Sequence, residues 1–201
     1  IIAMGKLASK EMTFTSDLDL IFVYQPFKNR KINDKKVFSD KVFYSRLSQF
    51  FISALTVSTS KGNLYKVDMR LRPSGKQGPV ASSLTAFIDY QKNDAWVWEK
   101  LALARSRVIY GHEKLKNEII KAREDIIKSK IDLKVIKNEV IEMRHRIFQN
   151  KIIEDMQLEI KYGKGKLLDL ELLIQMGVLM TNVIKLDSLQ KMIKILEKKG
   201  F

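Results

Sequence analysis

The stretch Ser16–Tyr24, with the sequence SDLDLIFVY, places two aspartates at the head of an apolar run. The run is short and rich in β-branched and aromatic residues, so it predicts a largely buried strand over Leu18–Tyr24. Residues two apart point to the same face of a strand, which would set Asp17 and Asp19 side by side. Two close carboxylates repel each other unless a cation lies between them. The stretch therefore predicts a site for a divalent ion, because Mg²⁺ prefers carboxylate and phosphate oxygens as ligands.

A third carboxylate, Asp68, lies in a second predicted strand, Leu64–Leu71, in which apolar and polar residues alternate. The polar face of this strand carries Lys66 and Arg70 beside Asp68. If the two strands are neighbours, three carboxylates can hold two metal ions about 3.5–4 Å apart, an arrangement that suits in-line displacement at phosphorus. Two alternatives stay open. Asp68 can instead form an ion pair with Arg70 or Lys66, and an Asp-x-Asp pair also occurs on exposed strands.

Residues next to these carboxylates are candidates for binding the phosphates of a nucleotide. Gly5 follows a predicted first strand, Ile1–Met4, and a glycine there lets backbone N–H groups approach a phosphate closely. The Ser16 hydroxyl can donate to a phosphate oxygen, and Arg72, just after the second strand, is expected to be free to reach a ligand. A turn glycine, a capping serine and a structural ion pair are the alternatives. The nucleotide-binding candidates are Gly5, Lys6, Ser16, Arg70 and Arg72.

The sequence around these strands predicts a mixed α/β part followed by a helical part. Apolar residues at helical spacing predict a helix over 37–59, and Ser82 or Ser83 is expected to cap a helix running to about residue 92. A loop is predicted over 5–16. Further helices are predicted over 94–107, 113–128, 132–149, 167–181 and 187–199. We expect an α+β fold, with one domain at 1–111 and an all-α domain at 112–201.

Two smaller expectations concern side-chain packing. Trp96 and Trp98 should pack in the core. Asp169 and Glu171 are expected to contribute to an ion pair inside the helical domain, with a role at an interface as the alternative. No set of Ser, His and Asp or of Cys and His indicates a covalent nucleophile, and the chain has no phosphate-binding loop of the Walker type.

The composition limits the class of protein. The chain has 201 residues, 45% of them hydrophobic, and no apolar run of the roughly 20 residues that a membrane helix needs. No cysteine is present, which excludes disulfides and thiolate metal sites and fits a cytoplasmic setting. The net charge of +14 is scattered and lysine-rich, which favours compositional drift, with a basic nucleic-acid-binding module as the alternative. The chain begins at Ile1 rather than Met, and we expect an upstream part to be missing.

Several short motifs occur in a fixed order along nearly the whole chain. They are MGKL at 4–7, SDLDLI at 16–21, LYKVDMRLRPSG at 64–75, YQKNDAWVWE at 90–99, ARSRVIYG at 104–111 and GKLLDLE at 165–171. In this order they resemble the motifs of the glutamine-synthetase adenylyltransferases, which are members of the DNA polymerase β nucleotidyltransferase superfamily. The resemblance implies a polymerase β-like mixed sheet with flanking helices, followed by a helical domain.

The resemblance also implies an activity, the Mg²⁺-dependent transfer of AMP from ATP to a tyrosine of glutamine synthetase, which regulates nitrogen assimilation. It implies that Asp17, Asp19 and Asp68 are the catalytic and metal-binding carboxylates, and that Gly5 and Ser16 border the triphosphate. Full-length enzymes of this family also respond to the PII signal protein.

The motifs further resemble one half of the family's two-part enzyme. The AWVWE block at 95–99 and the PSG ending at 73–75 resemble the half that attaches AMP. The half that removes AMP by phosphorolysis is the alternative. Ala8 and Ser9 stand where the family has two glycines, which narrows the backbone choices beside the phosphates and makes an inactive fragment a further alternative.

Overall fold

The computed structural model of the chain describes residues 1–26, 39–129, 131–150 and 159–201. The chain divides into two compact units. The sheet unit comprises Ile1–Ala95 and Ser106–Ala122, and the helical unit comprises Trp96–Arg105 and Arg123–Phe201. The domain boundary predicted after residue 111 stays a prediction.

The sheet unit is built around the apolar run that begins at Leu18, which forms the central strand. The described strands are β1 (Ile2–Met4), β2 (Leu18–Tyr24), β3 (Ser58–Thr59), β4 (Gly62–Asn63), β5 (Val67–Asp68), β6 (Ala81–Ser83) and β7 (Ser106–Val108). β1 pairs antiparallel with β2 and with β7, whereas β2 pairs parallel with β5 and β6. β3 and β4 form a separate antiparallel hairpin. The expected mixed sheet is confirmed.

The helices of the described residues largely follow the predicted periodicity. They are α1 (Gly5–Ser9), α2 (Asp40–Thr56), α3 (Leu84–Asp89), α4 (Val97–Ala104), α5 (Glu113–Ile127), α6 (Leu133–Gln149), α7 (Leu167–Thr181) and α8 (Leu189–Glu197). The Ser83 hydroxyl caps α3 by accepting the Ala86 N–H at 3.2 Å, as the sequence predicted. A π-helical turn over Tyr90–Asp94 extends α3.

Three elements differ from the sequence prediction. The loop expected over 5–16 contains α1, which is too short for helical periodicity to reveal. The strand expected over Leu64–Leu71 is reduced to β5, because a turn follows at once in which the Arg72 N–H donates to the Met69 carbonyl. The helix expected over 94–107 ends at Ala104, and the chain continues as β7 because this segment pairs with β1.

The side chains of β2 bury one face of the sheet against α2. Leu18, Leu20, Phe22 and Tyr24 alternate along the strand and pack against α2 residues, and the Tyr24 ring stacks on Tyr44 at 4.5 Å between centroids. β2 is also buried on its other face, at Ile21 and Val23. The strand is therefore fixed in position on both sides, and with it the aspartates at its start.

The helix predicted over 37–59 is observed as α2, with its first two predicted residues, 37 and 38, outside the described residues. Several of its apolar side chains remain exposed, including Leu47 at 52% and Phe50 at 75%. The periodicity correctly predicted a helix, but the sheet covers only part of the apolar surface of α2.

The helical unit has its own core, formed where α4, α6, α7 and α8 pack together. Its centre includes Leu101, Ile136 and Met192, each 2% exposed or less. The ion pair expected within the helical domain is confirmed for Asp169, which binds Arg144. Glu171 binds Arg105 at 2.9 Å, a partner that lies before the predicted bounds 112–201. The expectation that Trp96 is buried is wrong, because this residue precedes α4 and its side chain is 62% exposed.

In the part of the chain that the structure describes, no helix is both long enough and apolar enough to cross a membrane.

Candidate functional site

The parallel pairing of β2 with β5 brings two of the predicted carboxylates together. Asp19 and Asp68 are register partners in this ladder, and the Leu18 N–H donates to the Lys66 carbonyl at 2.8 Å just before them. Register partners on neighbouring strands project to the same face of a sheet, so their side chains are neighbours. Asp17 is exposed and lies immediately before β2, two residues from Asp19. The condition set by the sequence, that the two strands be adjacent, is therefore met.

The guanidinium of Arg70 interacts with the negative charges of all three carboxylates. The hydrogen bond that Arg70 donates to Asp68 raises the pKa of the guanidinium, and the charge of Asp68 adds to this effect. The charges of Asp19 and Asp17 raise it further. A single cation thus lies within reach of the negative charge of Asp17, Asp19 and Asp68.

Asp68 is held by Arg70 through both of its oxygens. Its Oδ1 accepts the Arg70 backbone N–H at 2.8 Å, and its Oδ2 accepts Arg70 Nε at 2.7 Å. Burial acts to raise the pKa of Asp68, but the hydrogen bonds and charge of Arg70 together hold it below its usual value. The ion pair weighed as an alternative in the sequence is present in the structure.

Gly5 lies directly against the carboxylate of Asp19. The glycine has a φ of +53°, and a Cβ added to it would lie 3.0 Å from Asp19 Oδ2. A side chain at this position would therefore be strained by the backbone and would press on the carboxylate. The structure gives Gly5 a role that the sequence did not suggest, which is to leave room for Asp19.

Ser16 organises the turn that leads into β2. Its hydroxyl accepts the Thr13 backbone N–H at 3.0 Å and lies 2.9 Å from the Thr13 hydroxyl. Lys6 lies half-buried in α1, and its backbone carbonyl accepts the Glu11 N–H at 2.9 Å. The phosphate-binding roles suggested for Ser16 and Lys6 stay predictions.

Arg72 braces the loop that follows β5. Its guanidinium donates to three backbone carbonyls: Nε to Gly78 at 3.2 Å, Nη1 to Met69 at 2.9 Å and Nη2 to Lys76 at 3.1 Å. The expectation that Arg72 is free to reach a ligand is therefore wrong for this conformation. Its assignment as a nucleotide-binding residue stays a prediction.

The two residues expected from the sequence to stand in place of family glycines lie inside α1. Ala8 and Ser9 are both buried, and the Ser9 hydroxyl donates back to the Gly5 carbonyl at 3.2 Å. Arg107, from β7, donates from Nε to the Ala8 carbonyl at 2.7 Å and from Nη2 to the Leu7 carbonyl at 2.9 Å.

Arg107 is a supporting residue that sequence reasoning missed, because its segment was predicted to be helical. It holds the end of α1, whose first residue touches Asp19. The register of β7 with β1, in which Arg107 lies opposite Ala3, directs it toward α1. Arg107 could have been identified only if the sequence had predicted a strand after Ala104.

The donor chemistry of the site fits Mg²⁺, because carboxylate oxygens are ligands that this ion prefers. Among the residues that the structure describes, however, no group of three or more Asp, Glu, His or Cys side chains stands arranged to hold a metal ion. The carboxylate of Asp68 is paired with Arg70.

Comparison with known proteins gives a consistent result. A family model described as "Glutamate-ammonia ligase adenylyltransferase" matches residues 1–122. Proteins named "Bifunctional glutamine synthetase adenylyltransferase/adenylyl-removing enzyme" from Bradyrhizobium diazoefficiens and Brucella suis biovar 1 are both 43% identical, over 87% and 89% of this chain. The protein of that name from Pasteurella multocida is 40% identical over 89% of it. The chain spans 18% of the length of each of these relatives.

Proposed function

Because this chain belongs to the glutamate-ammonia ligase adenylyltransferase family, we propose that it transfers AMP from ATP to a tyrosine of glutamine synthetase and releases pyrophosphate. The observation that carries this proposal is the register of Asp19 with Asp68, with Asp17 adjacent. We propose that the sheet unit is a polymerase β-like nucleotidyltransferase domain. Its mixed sheet, with carboxylates on two parallel neighbouring strands, supports this.

Asp17, Asp19 and Asp68 would hold the Mg²⁺ ions, which would neutralise phosphate charge and lower the pKa of the attacking tyrosine hydroxyl. Gly5 keeps space beside Asp19, so that this carboxylate can adopt the position its role requires. Arg70 and Lys6 supply positive charge for the triphosphate, and Ser16 supplies a hydroxyl next to Asp17. We assign Asp68 to metal binding because it lies opposite Asp19 in the pairing of β2 with β5.

Glutamine synthetase is proposed as the protein substrate because the names of the relatives contain it. The same names include an adenylyl-removing activity. We assign this chain to the attaching half on the motifs at 73–75 and 95–99. Regulation by the PII signal protein, expected for full-length enzymes, is proposed only for a protein that contains this chain as a part.

The proposal is tested with Mg²⁺, α-labelled ATP and unmodified glutamine synthetase. The variants are wild type, Asp17→Asn/Asp19→Asn, and Asp89→Asn/Asp125→Asn as a matched control. The control removes two exposed carboxylates that are not among the predicted site residues. We expect label on glutamine synthetase with wild type and the control, and a loss of at least about a hundredfold with the site variant.

A second assay tests the direction of the reaction. Inorganic phosphate and adenylylated glutamine synthetase are supplied, and ADP is measured. ADP formation without any forward labelling would assign the chain to the removing half instead. Forward labelling that survives the site substitutions would show that these carboxylates do not carry the reaction.

A further inference from the structure

Arg70 occupies the oxygens through which Asp68 would bind a metal ion. Besides the hydrogen bonds to Oδ1 and Oδ2, Arg70 Nη2 forms an ion pair with the same Oδ2. The guanidinium contacts only Oδ2, through Nε and Nη2, and neutralises the carboxylate there, whereas Oδ1 is held by the backbone N–H. A divalent cation at the same oxygens would be repelled by the guanidinium. The two cations therefore compete for Asp68.

The two partners differ in how firmly they are placed. The Asp68 side chain is 15% exposed and belongs to β5, whose register with β2 fixes it opposite Asp19. The Arg70 side chain is 71% exposed and follows the strand. Arg70 can therefore swing into solvent without opening a cavity, whereas Asp68 stays beside Asp19.

We propose that Arg70 is a built-in counter-cation of the carboxylate site, which neutralises Asp68 in the absence of metal and releases it when metal binds. This inference rests on the proposed function, because it takes Asp17, Asp19 and Asp68 as the metal ligands. Arg70 then acts as a positioning residue that lowers the metal affinity of the site. Its release frees a guanidinium beside the place where the triphosphate would bind.

The inference is tested by Mn²⁺ binding without nucleotide, measured from the electron paramagnetic resonance signal of free Mn²⁺. Wild type is compared with Arg70→Gln and with Lys76→Gln. Lys76 is the matched control. It is an exposed cation whose charge also acts on Asp68, but the ion pair with Asp68 is made by Arg70. Circular dichroism of each variant checks that the fold is kept.

We expect Arg70→Gln to bind Mn²⁺ about fivefold more tightly than wild type, which corresponds to a broken ion pair with one exposed partner. Lys76→Gln should change the affinity less than about twofold. The gain must depend on Asp68, so Asp68→Asn and Asp68→Asn/Arg70→Gln should bind Mn²⁺ with the same affinity.

Two results would overturn the inference while leaving the proposed function intact. One is Mn²⁺ binding by Arg70→Gln equal to that of Lys76→Gln, and the other is a gain that persists in the Asp68→Asn background. A wild type and an Arg70→Gln variant that both fail to bind Mn²⁺ would overturn the inference and the metal role in the proposed function together.

Discussion

At the scale of single residues, the contact between Gly5 and Asp19 is the tightest constraint on the candidate site. We predict that Gly5→Ala lowers the free energy of unfolding by about 1–2 kcal/mol, because alanine is strained at a φ of +53°. AMP transfer should fall by about a hundredfold, because the new Cβ would displace the Asp19 carboxylate. Urea unfolding and the labelling assay measure the two effects.

Gly165→Ala separates backbone strain from the effect on Asp19. Gly165 has a φ of +71°, and a Cβ added there meets no atom within 4 Å. The control should lose a similar free energy of unfolding and keep its activity. Equal activity loss in both variants would mean that stability, rather than the position of Asp19, accounts for the effect of Gly5→Ala.

The ion pair of Arg105 with Glu171 is the most deeply buried of those described, with side chains 7% and 11% exposed. Removing the charge of Glu171 takes away the ion pair described for the buried Arg105 guanidinium. We predict that Glu171→Gln lowers the free energy of unfolding by about 3–5 kcal/mol. The exposed control Arg146→Gln should change it by less than about 0.5 kcal/mol.

Replacing both partners distinguishes a charge effect from a packing effect. Arg105→Met/Glu171→Met removes the two charges together, and we expect it to recover most of the stability lost by Glu171→Gln. A double variant as unstable as the single one would show that packing and other contacts of Arg105, rather than charge pairing, hold this region.

At the scale of elements, β2 was predictable to the residue because a short run rich in β-branched and aromatic residues, which begins after Asp17 and ends before Gln25 and Pro26, is typical of a buried strand. The helices α5, α6 and α7 were also predicted closely, because each is long enough to show the periodicity of a helix. α1 and β7 could not be predicted, because each is fixed by pairing and hydrogen bonds with distant residues, such as those from Arg107 to Leu7 and Ala8.

The candidate site was predictable in composition but not in arrangement. The pattern of aspartates identified Asp17, Asp19 and Asp68, and strand adjacency was stated as a condition. The sequence left the pairing of Asp68 with Arg70 as one of two alternatives, because both patterns need the same residues. It could not show that Arg72 donates to carbonyls of Met69 and Gly78, since only the folded turn brings those carbonyls within reach of the guanidinium.

The carboxylate of Asp169 connects the segment leading into α7 with α6. This side chain accepts hydrogen bonds from the Arg144 guanidinium and from the Gly165 N–H, the latter at 2.6 Å. Burial acts to raise the pKa of Asp169, but these hydrogen bonds and the charge of Arg144 hold it below its usual value. A carboxyl whose pKa is lower in the folded state stabilises the fold above its unfolded pKa, about 3.9.

This stabilisation is lost as the pH falls through the folded pKa of Asp169. We predict that Asp169→Asn lowers the free energy of unfolding by about 1–3 kcal/mol at pH 7 and by progressively less from pH 4 downward. Urea unfolding between pH 7 and pH 3 measures the difference from wild type. The exposed control Asp125→Asn should follow the wild-type curve, and a constant difference for Asp169→Asn at every pH would contradict the assignment.

At the scale of the whole molecule, the chain passes between its two units more than once. The segment Trp96–Arg105 belongs to the helical unit although Ser106–Ala122 belongs to the sheet unit. Leu101, on α4, is 1% exposed and lies in the core of the helical unit. A single cut after residue 111 would therefore separate α4 from the helices against which it packs.

Arg123 connects α5 to α4 through hydrogen bonds. It is buried, and burial lowers the pKa of its guanidinium to about 10. Two of its hydrogen bonds go to α4, from Nη2 to the Ala104 carbonyl at 2.6 Å and from Nε to the Leu103 carbonyl at 3.3 Å. A fragment without α4 would keep this cation and lose these partners, and Glu171 would lose Arg105.

We therefore predict that a fragment of residues 96–201 unfolds cooperatively on heating, whereas a fragment of residues 112–201 does not. Loss of α4 removes the apolar contacts of Leu101, whose truncation alone would cost about 2–5 kcal/mol. The shorter fragment also lacks the ion pair of Glu171 with Arg105 and two hydrogen bonds of Arg123. Circular dichroism at 222 nm measures both transitions. Leu101→Ala in the longer fragment should lower its melting temperature. That result would show that the contacts of α4, rather than the greater chain length, stabilise the longer fragment. Equal cooperative melting of the two fragments would place the domain boundary at residue 111 after all, with α4 dispensable to the helical core.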